Sequence, residues 1–305
     1  MSCCQPNPKA LKLLVEHSED YEQFESEEVL TWCTGCGNFG IQNALKRALT
    51  LEGIGIQDML MCFDIGCSGN GSDKIQGYTF HGLHGRVLPI ASGAVIANPK
   101  LKVIASAGDG ATFSEGVNHL IHAVRNDYPM LFIIHNNMNY GLTTGQASAT
   151  TPNGVPMNAS PDGVTADPLN PCELILSLNP SFLARTFTGD VEHMTEMFQA
   201  GLQHKGFACI EVMQICTTYN HATPQEWYWE RVQYIRDNKK YDRTDIWAAK
   251  KAAADMENNI NLGILFEDQK KVNFLNRLEN RKQINTTPVE EVGYYDISRL
   301  TKAFE

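Results

Sequence analysis

Four of the nine cysteines lie in stretches that read as loop, and their neighbours limit what they can do. Cys33-Thr-Gly-Cys36 is a Cys-x-x-Cys pair, a spacing that lets two thiolates reach one metal centre. The same spacing serves thioredoxin-type redox pairs, which follow an apolar strand. Here Glu25-Ser-Glu-Glu28 comes first, with only Val29 and Leu30 apolar. A zinc ribbon needs a second Cys-x-x-Cys, which the sequence lacks. Cys67, in Gly66-Cys67-Ser68-Gly69, follows an apolar run at 59–64, and Cys216 follows another at 207–213. Two loop cysteines added to the pair make four thiolates, the complement of an iron–sulfur cluster, here scattered rather than in a compact ferredoxin run. Cys62 and Cys209 fall inside apolar runs and read as small apolar residues. Cys3 and Cys4 belong to the N-terminal lead-in, and Cys172 to a Pro-rich loop.

A second set of candidates offers oxygen. Gly108-Asp109-Gly110 sits where the strand at 101–107 ends, and Asn136-Asn137-Met138-Asn139-Tyr140-Gly141 where the strand at 129–135 ends. A carboxylate and a carboxamide are hard donors suited to Mg²⁺ or Ca²⁺. The paired glycines let backbone approach a phosphate closely. Each piece alone is common turn punctuation; at two strand ends, with 25 residues between Gly110 and Asn136, they make one candidate site. His81 and His84 flank a glycine-rich turn beside Arg86. That cluster reads either as a hydrogen-bonded loop or as an electropositive pocket for phosphate or carboxylate. His119, His122 and His135 fall inside elements or at their ends and read as structural.

These residues need elements to hold them. Apolar runs at 59–64, 101–107, 129–135, 182–187 and 207–213 read as buried strands. Between them lie helical faces: Ile41, Ala44, Leu45, Ala48 and Leu49; Phe113, Val117, Leu120, Ile121 and Val124; and Val191, Met194, Phe198 and Leu202, with Asp190 as N-cap. The alternation predicts an α/β fold with a mainly parallel central sheet flanked by helices. Its sites belong at the carboxyl ends of the strands. Residues 1–28 are expected to form a polar, acidic arm, 29–224 the main domain and 225–305 an appendage. The appendage carries three of the four tryptophans, a charged helical stretch over 230–268, and a polar tail with Tyr294, Tyr295 and Ile297. It packs on the body or on a partner.

Composition removes several function classes. At 305 residues the chain can bury about 75% of its unfolded surface, so it folds without disulfides or zinc. Twenty-five Lys+Arg against 35 Asp+Glu give a net charge of −10, a poor match for nucleic acid or anionic membrane. No apolar run approaches the about 18 residues of a membrane span. An odd cysteine count behind an acidic start from Glu16 to Glu28 points to a reducing, cytoplasmic setting.

Gly108-Asp109-Gly110 with Asn136-Asn137 resembles the thiamine diphosphate motif. Asn137-Met-Asn-Tyr-Gly-Leu-Thr-Thr-Gly-Gln146 and His81-Gly-Leu-His-Gly-Arg86 resemble the β subunit of 2-oxoacid:ferredoxin oxidoreductases over about 31–220, and more weakly Thr287-Pro-Val-Glu-Glu291 does so in the tail. The resemblance implies a thiamine diphosphate-binding fold with a mostly helical or irregular C-terminal extension. It implies Mg²⁺ on Asp109, Asn137 and the Asn139 carbonyl. Gly66, Cys67, Ser68, His84, Gly85, Gly108, Gly110 and the loop Gly141, Leu142 and Thr143 would line the cofactor, with Arg86 near it and Asn70 and Leu142 near substrate. One [4Fe–4S] cluster would sit on Cys33, Cys36, Cys67 and Cys216. The chain departs from the family pattern at Ala111, often Asp, and at Ile215 and Thr217, commonly prolines. The implied reaction is oxidative decarboxylation of a 2-oxoacid with coenzyme A, electrons leaving to ferredoxin and an α subunit completing the site. The His-Gly-Leu-His-Gly-Arg run favours 2-oxoglutarate or a broad 2-oxoacid range over pyruvate alone. A non-oxidative thiamine diphosphate decarboxylase or synthase would share Asp109 and Asn137 but needs no thiolates. An electron-relay subunit would need only the thiolates.

Overall fold

The computed structural model describes residues 18–256, 258–293, 296–302 and 304. Cys3, Cys4, Tyr294 and Tyr295 lie outside them. The five apolar runs form strands β1 (Met59–Phe63), β3 (Lys102–Gly108), β4 (Met130–Asn136), β5 (Phe182–Phe187) and β6 (Phe207–Met213), joined by β2 (Tyr78–His81), β7 (Val232–Tyr234) and β8 (Ile260–Glu267). They make one sheet, ordered β2-β1-β3-β4-β6-β5-β8-β7. Neighbours from β2 through β5 are all parallel, and only the β5–β8 pair is antiparallel. Such strands read as unbroken apolar runs because helices cover both faces.

One face packs under the helices Gly37–Leu51 and Val191–Gln203, through Ile41, Ala44, Leu45, Leu49, Met194 and Phe198. Asp190 caps the second helix by accepting from the His193 N–H at 3.0 Å. The other face packs under Val87–Ala97, Val117–Asn126, Pro171–Ser177 and Ile246–Ala254. Among the described residues no helix is long and apolar enough to cross a membrane.

Several sequence expectations need correction. Phe113 lies in a separate π-helical turn, Ala111–Glu115, so it does not share one helix with Val117 and Leu120. Ile121 is exposed, and Ala123 takes the buried position expected of it. Cys172 is not in a loop: it is buried on the helix Pro171–Ser177. The charged stretch 230–268 opens with β7 and a 3-10 turn at Ile235–Asp237, is α-helical only over Ile246–Ala254, and then becomes β8, which enters the main sheet beside β5. The remaining extension is short helical turns and irregular chain.

Two charges are buried in the sheet. Arg185 on β5 and Glu211 on β6 stand opposite each other, both fully buried, with Nε 2.7 Å from Oε2. Removing either partner alone would strand the other and cost about 3–5 kcal/mol.

Candidate functional site

Because β2, β1, β3, β4 and β6 are parallel neighbours, their carboxyl ends share one edge. That edge receives every loop singled out above. The β3 exit supplies Asp109, 1% exposed. Its Oδ2 accepts from the Ser148 hydroxyl and from Thr150 Oγ1 at 2.6 Å. Its Oδ1 is buried with no hydrogen-bond partner. Burial pushes this carboxyl up to about 6 despite the two hydroxyls and the backbone N–H groups of Asp109 and Asn137, which favour its charged form. A bare, buried carboxylate oxygen is a costly arrangement unless a cation takes it.

The β4 exit turns sharply through Met138, whose φ of +57° is left-handed and uncommon outside glycine. The turn leaves Asn137 and Asn139 both buried. Asn137 Oδ1 accepts from the Asn139 N–H at 3.2 Å, and the Asn137 carbonyl accepts from Asn139 Nδ2 and Asn220 Nδ2 at 2.8 and 3.1 Å. Gly110 lies under the Tyr140 ring, where a Cβ would come within 2.3 Å of Cε1. Tyr140 Oη donates to Glu115 at 2.9 Å. Gly141 and Thr143 follow in a turn closed by Tyr140 N–H to the Gln146 carbonyl at 2.9 Å; Leu142 is half-exposed. A carboxylate, carboxamides and backbone held at two strand ends over a glycine floor fit a Mg²⁺-bound diphosphate.

The β1 and β2 exits meet at Asp64, a fully buried carboxylate that the sequence reading took only as the end of a strand. It accepts from the backbone N–H of Ile65, Gly85 and Val87, and from His84 Nδ1 at 3.1 Å. His84 Nε2 lies 3.4 Å from Glu115, so the ring is clamped between two acids. Arg86 is exposed and reaches His119, whose pKa is lowered by burial and then by Arg86. Asn70 donates to Thr31, and the buried Ser68 hydroxyl has no partner. Gly66 turns with φ +134°. His81 meets Ser72, and His135 is buried between Ser106 and Asn38, which lowers its pKa to about 3.

The four loop cysteines come together beside this site. Cys36 stands at the N-cap position of the helix Gly37–Leu51, and its N–H closes a turn onto the Cys33 carbonyl at 3.0 Å through left-handed Gly35. Hydrogen bonds join the loops. Gly37 N–H donates to the Ile215 carbonyl (3.1 Å), Thr217 Oγ1 to the Thr34 carbonyl (2.9 Å) and Trp32 Nε1 to the Cys67 carbonyl (2.7 Å). Burial, then the facing Cys36, Cys216 and Cys33 thiols, pushes Cys67 up to about 12. Burial also raises Cys36, with Cys216 and Cys33 adding to it. Such crowding penalises free thiolates and is relieved when a metal centre takes them. Cys216 Sγ lies 4.0 Å from Asn139 Oδ1, and a Cβ on Gly141 would stand 3.2 Å from Cys67 Sγ. The thiols therefore abut the loop that carries the oxygen donors. Among the described residues no three His, Cys, Asp or Glu converge tightly enough for a single ion. A cluster spreads its thiolates around several irons, and the donor set fits that. Cys62, Cys172 and Cys209 are buried elsewhere.

Sequence reasoning missed Asp64, Glu115, Ser148 and Thr150. Only Asp64 had a local signal, as an acid ending an apolar run.

Residues 64–212 match the thiamine pyrophosphate enzyme C-terminal TPP binding domain, and 216–283 the C-terminal part of pyruvate ferredoxin oxidoreductase β subunits. The β subunit of 2-oxoacid:ferredoxin oxidoreductase 2 from Aeropyrum pernix is 34% identical over 84% of this chain and 86% of its own length. The β subunit from a Sulfolobus species is 40% identical over 66% of this chain and 67% of its own. A solved 2-oxoglutarate:ferredoxin oxidoreductase from Magnetococcus marinus, with 2-oxoglutarate, coenzyme A and succinyl-CoA bound, superposes with a TM-score of 0.84 at 28% identity, covering 94% of this chain and 96% of that one. Sheet, motifs and relatives agree, and the chain belongs to the family of 2-oxoacid:ferredoxin oxidoreductase β subunits.

Proposed function

We propose that this chain carries the cofactor diphosphate and the electron exit of a 2-oxoacid:ferredoxin oxidoreductase, and works only with an α subunit. Residues 29–224 form the cofactor domain, between an N-terminal arm and the extension from 225. Asp109 Oδ1, Asn137 and the Asn139 carbonyl hold Mg²⁺ on thiamine diphosphate. Gly108, Gly110 and the Gly141–Thr143 turn receive the diphosphate. Gly66, Ser68, Gly85 and His84 line the cofactor, with Arg86 at the rim and Asn70 and Leu142 on the substrate side. Cys33, Cys36, Cys67 and Cys216 hold one [4Fe–4S] cluster. When bound, thiamine diphosphate supplies the electron sink that lets a 2-oxoacid lose CO₂, and the cluster accepts electrons one at a time. The chain's own groups bind, orient and keep water out. Asp64 fixes the His84 ring, so its Nε2 presents a lone pair or proton at a set point beside Glu115. Acyl transfer to coenzyme A and electron delivery to a ferredoxin complete the reaction in the cytoplasm. The Aeropyrum and Sulfolobus names support a broad 2-oxoacid range, and the Magnetococcus structure supports 2-oxoglutarate.

The observation that carries this reading is the partnerless Asp109 Oδ1 beside the loops that bring Cys33, Cys36, Cys67 and Cys216 together. The test is anaerobic purification of the α/β complex, with iron, sulfide and thiamine assayed per β chain. Four irons, one thiamine diphosphate and a visible absorbance bleached by dithionite are expected. A thiamine-loaded, iron-free preparation would move the reading to a non-oxidative decarboxylase. An iron-loaded one without thiamine would move it to an electron relay.

A further inference from the structure

We propose that the buried pair Arg185–Glu211 is a positioning device for the cation site: it sets which atom of Asp109 is offered to Mg²⁺ and makes the site selective for that ion. The inference rests on the reading of Asp109 as a cation ligand. The path crosses four strands. Arg185 Nε on β5 holds Glu211 Oε2 at 2.7 Å. The Cys172 thiol, its pKa raised well above normal by burial, donates to the same oxygen at 3.0 Å. The other oxygen, Oε1, takes Asn136 Nδ2 at 2.7 Å. A carboxylate only accepts, so it fixes the orientation of the Asn136 amide and turns Oδ1 the other way. That Oδ1 lies 3.0 Å from Thr150 Oγ1, which lies 2.6 Å from Asp109 Oδ2.

Thr150 has one hydroxyl proton, shared by these two acceptors as a three-centre bond that fixes the hydroxyl between them, and Ser148 donates to the same Oδ2. Both hydroxyl donors thus fall on Oδ2, and Oδ1 is left without a hydrogen-bond partner. Every member of the path is buried or nearly so; Asn136, Arg185 and Glu211 have no solvent exposure. A carboxylate locked in one orientation suits Mg²⁺, which demands near-ideal octahedral geometry, whereas Ca²⁺ tolerates a looser site. Partners behind a metal ligand typically account for 10–100-fold in metal affinity.

The test uses the anaerobically purified α/β complex stripped of divalent ions, and reads retention of thiamine diphosphate against Mg²⁺ and against Ca²⁺. The double variant Arg185→Gln/Glu211→Gln removes both charges at similar volume. Its half-saturating Mg²⁺ should rise at least tenfold with a much smaller change for Ca²⁺, so the ion preference moves about tenfold. Asn136→Leu leaves the ion pair intact and cuts the path beyond it; it should give the same shift, and it decides the matter if the double variant does not fold. A folded variant with lower thermal stability but unchanged Mg²⁺ and Ca²⁺ half-saturation would overturn the inference and leave the pair a structural one. Asp109→Asn is the control: if it leaves Mg²⁺ dependence untouched, the cation reading itself fails. If it abolishes that dependence while the other variants do nothing, only the positioning role fails.

Discussion

Replacing Gly110 by alanine tests whether the glycine floor exists for the reason given. The backbone there has φ −58° and ψ −54°, an ordinary helical conformation open to any residue. The substitution therefore carries no conformational penalty, and its whole cost is steric. An added Cβ would meet Tyr140 Cε1 at 2.3 Å, Cζ at 2.5 Å and Cδ1 at 2.8 Å. The ring cannot retreat freely: its hydroxyl is held by Glu115, and its backbone is tied to Gln146 and Gly145. Overpacking of this kind costs about 1–3 kcal/mol. In a chain of this size that is a fall of roughly 2–6 °C in melting temperature. Because Tyr140 leads directly into Gly141, the displaced turn should also weaken thiamine diphosphate retention about tenfold or more. The assay is thermal unfolding and cofactor retention of the α/β complex, for Gly110→Ala in the native and in the Tyr140→Ala background. With the ring gone, the alanine should cost nothing, giving a coupling of about 1–3 kcal/mol. Equal cost in both backgrounds would refute the steric argument.

Three further outcomes follow from the same geometry. Cys216→Ser should lower iron content and visible absorbance, whereas Cys172→Ser, buried behind Glu211, should leave both unchanged; equal effects would undo the ligand assignment. Asp64→Asn sets an amide N–H₂ among N–H donors from residues 65, 85 and 87 and His84. It should cost about 1–3 kcal/mol, seen as a lower melting temperature. His193 is buried against Thr186, and burial lowers its pKa to about 4. Its folded-state value lies below the unfolded one. The stability it contributes is therefore complete above about pH 6.5 and is lost as pH falls towards 4, up to about 3 kcal/mol. His193→Asn should flatten that part of the stability profile, and an unchanged acid limb would contradict it.

Much of the sheet was legible because its strands are buried on both faces. Phe182–Phe187 and Phe207–Met213 match the apolar runs residue for residue; the run at 59–64 ends one residue early, and those at 101–107 and 129–135 move by one residue at both ends. β2 was not legible. All four of its residues are exposed at the sheet edge, so Tyr78-Thr-Phe-His81 shows no burial pattern. β8 hid behind a charged stretch whose local composition favoured helix, and its pairing with β5 is a tertiary fact. At the site, strand-end residues were readable because parallel strands deliver their exits to one edge. Their supports were not. Ser148 and Thr150 reach Asp109 from about 40 residues away, and nothing in their local sequence marks the contact. Arg185 and Glu211 did leave a trace, each the one charge in a buried strand. A charge so placed needs a partner on the neighbouring strand.

The most direct test of the whole account is a steady-state assay of the co-expressed, anaerobically purified α/β complex. It measures viologen or ferredoxin reduction across a 2-oxoacid panel, with and without coenzyme A. Reduction is expected to require coenzyme A, the 2-oxoacid and both subunits, to be greatest with 2-oxoglutarate or spread over several 2-oxoacids, and to be abolished by Asp109→Ala and by Cys216→Ser. CO₂ release from a 2-oxoacid with no acceptor reduced, or acceptor reduction indifferent to Asp109, would contradict it.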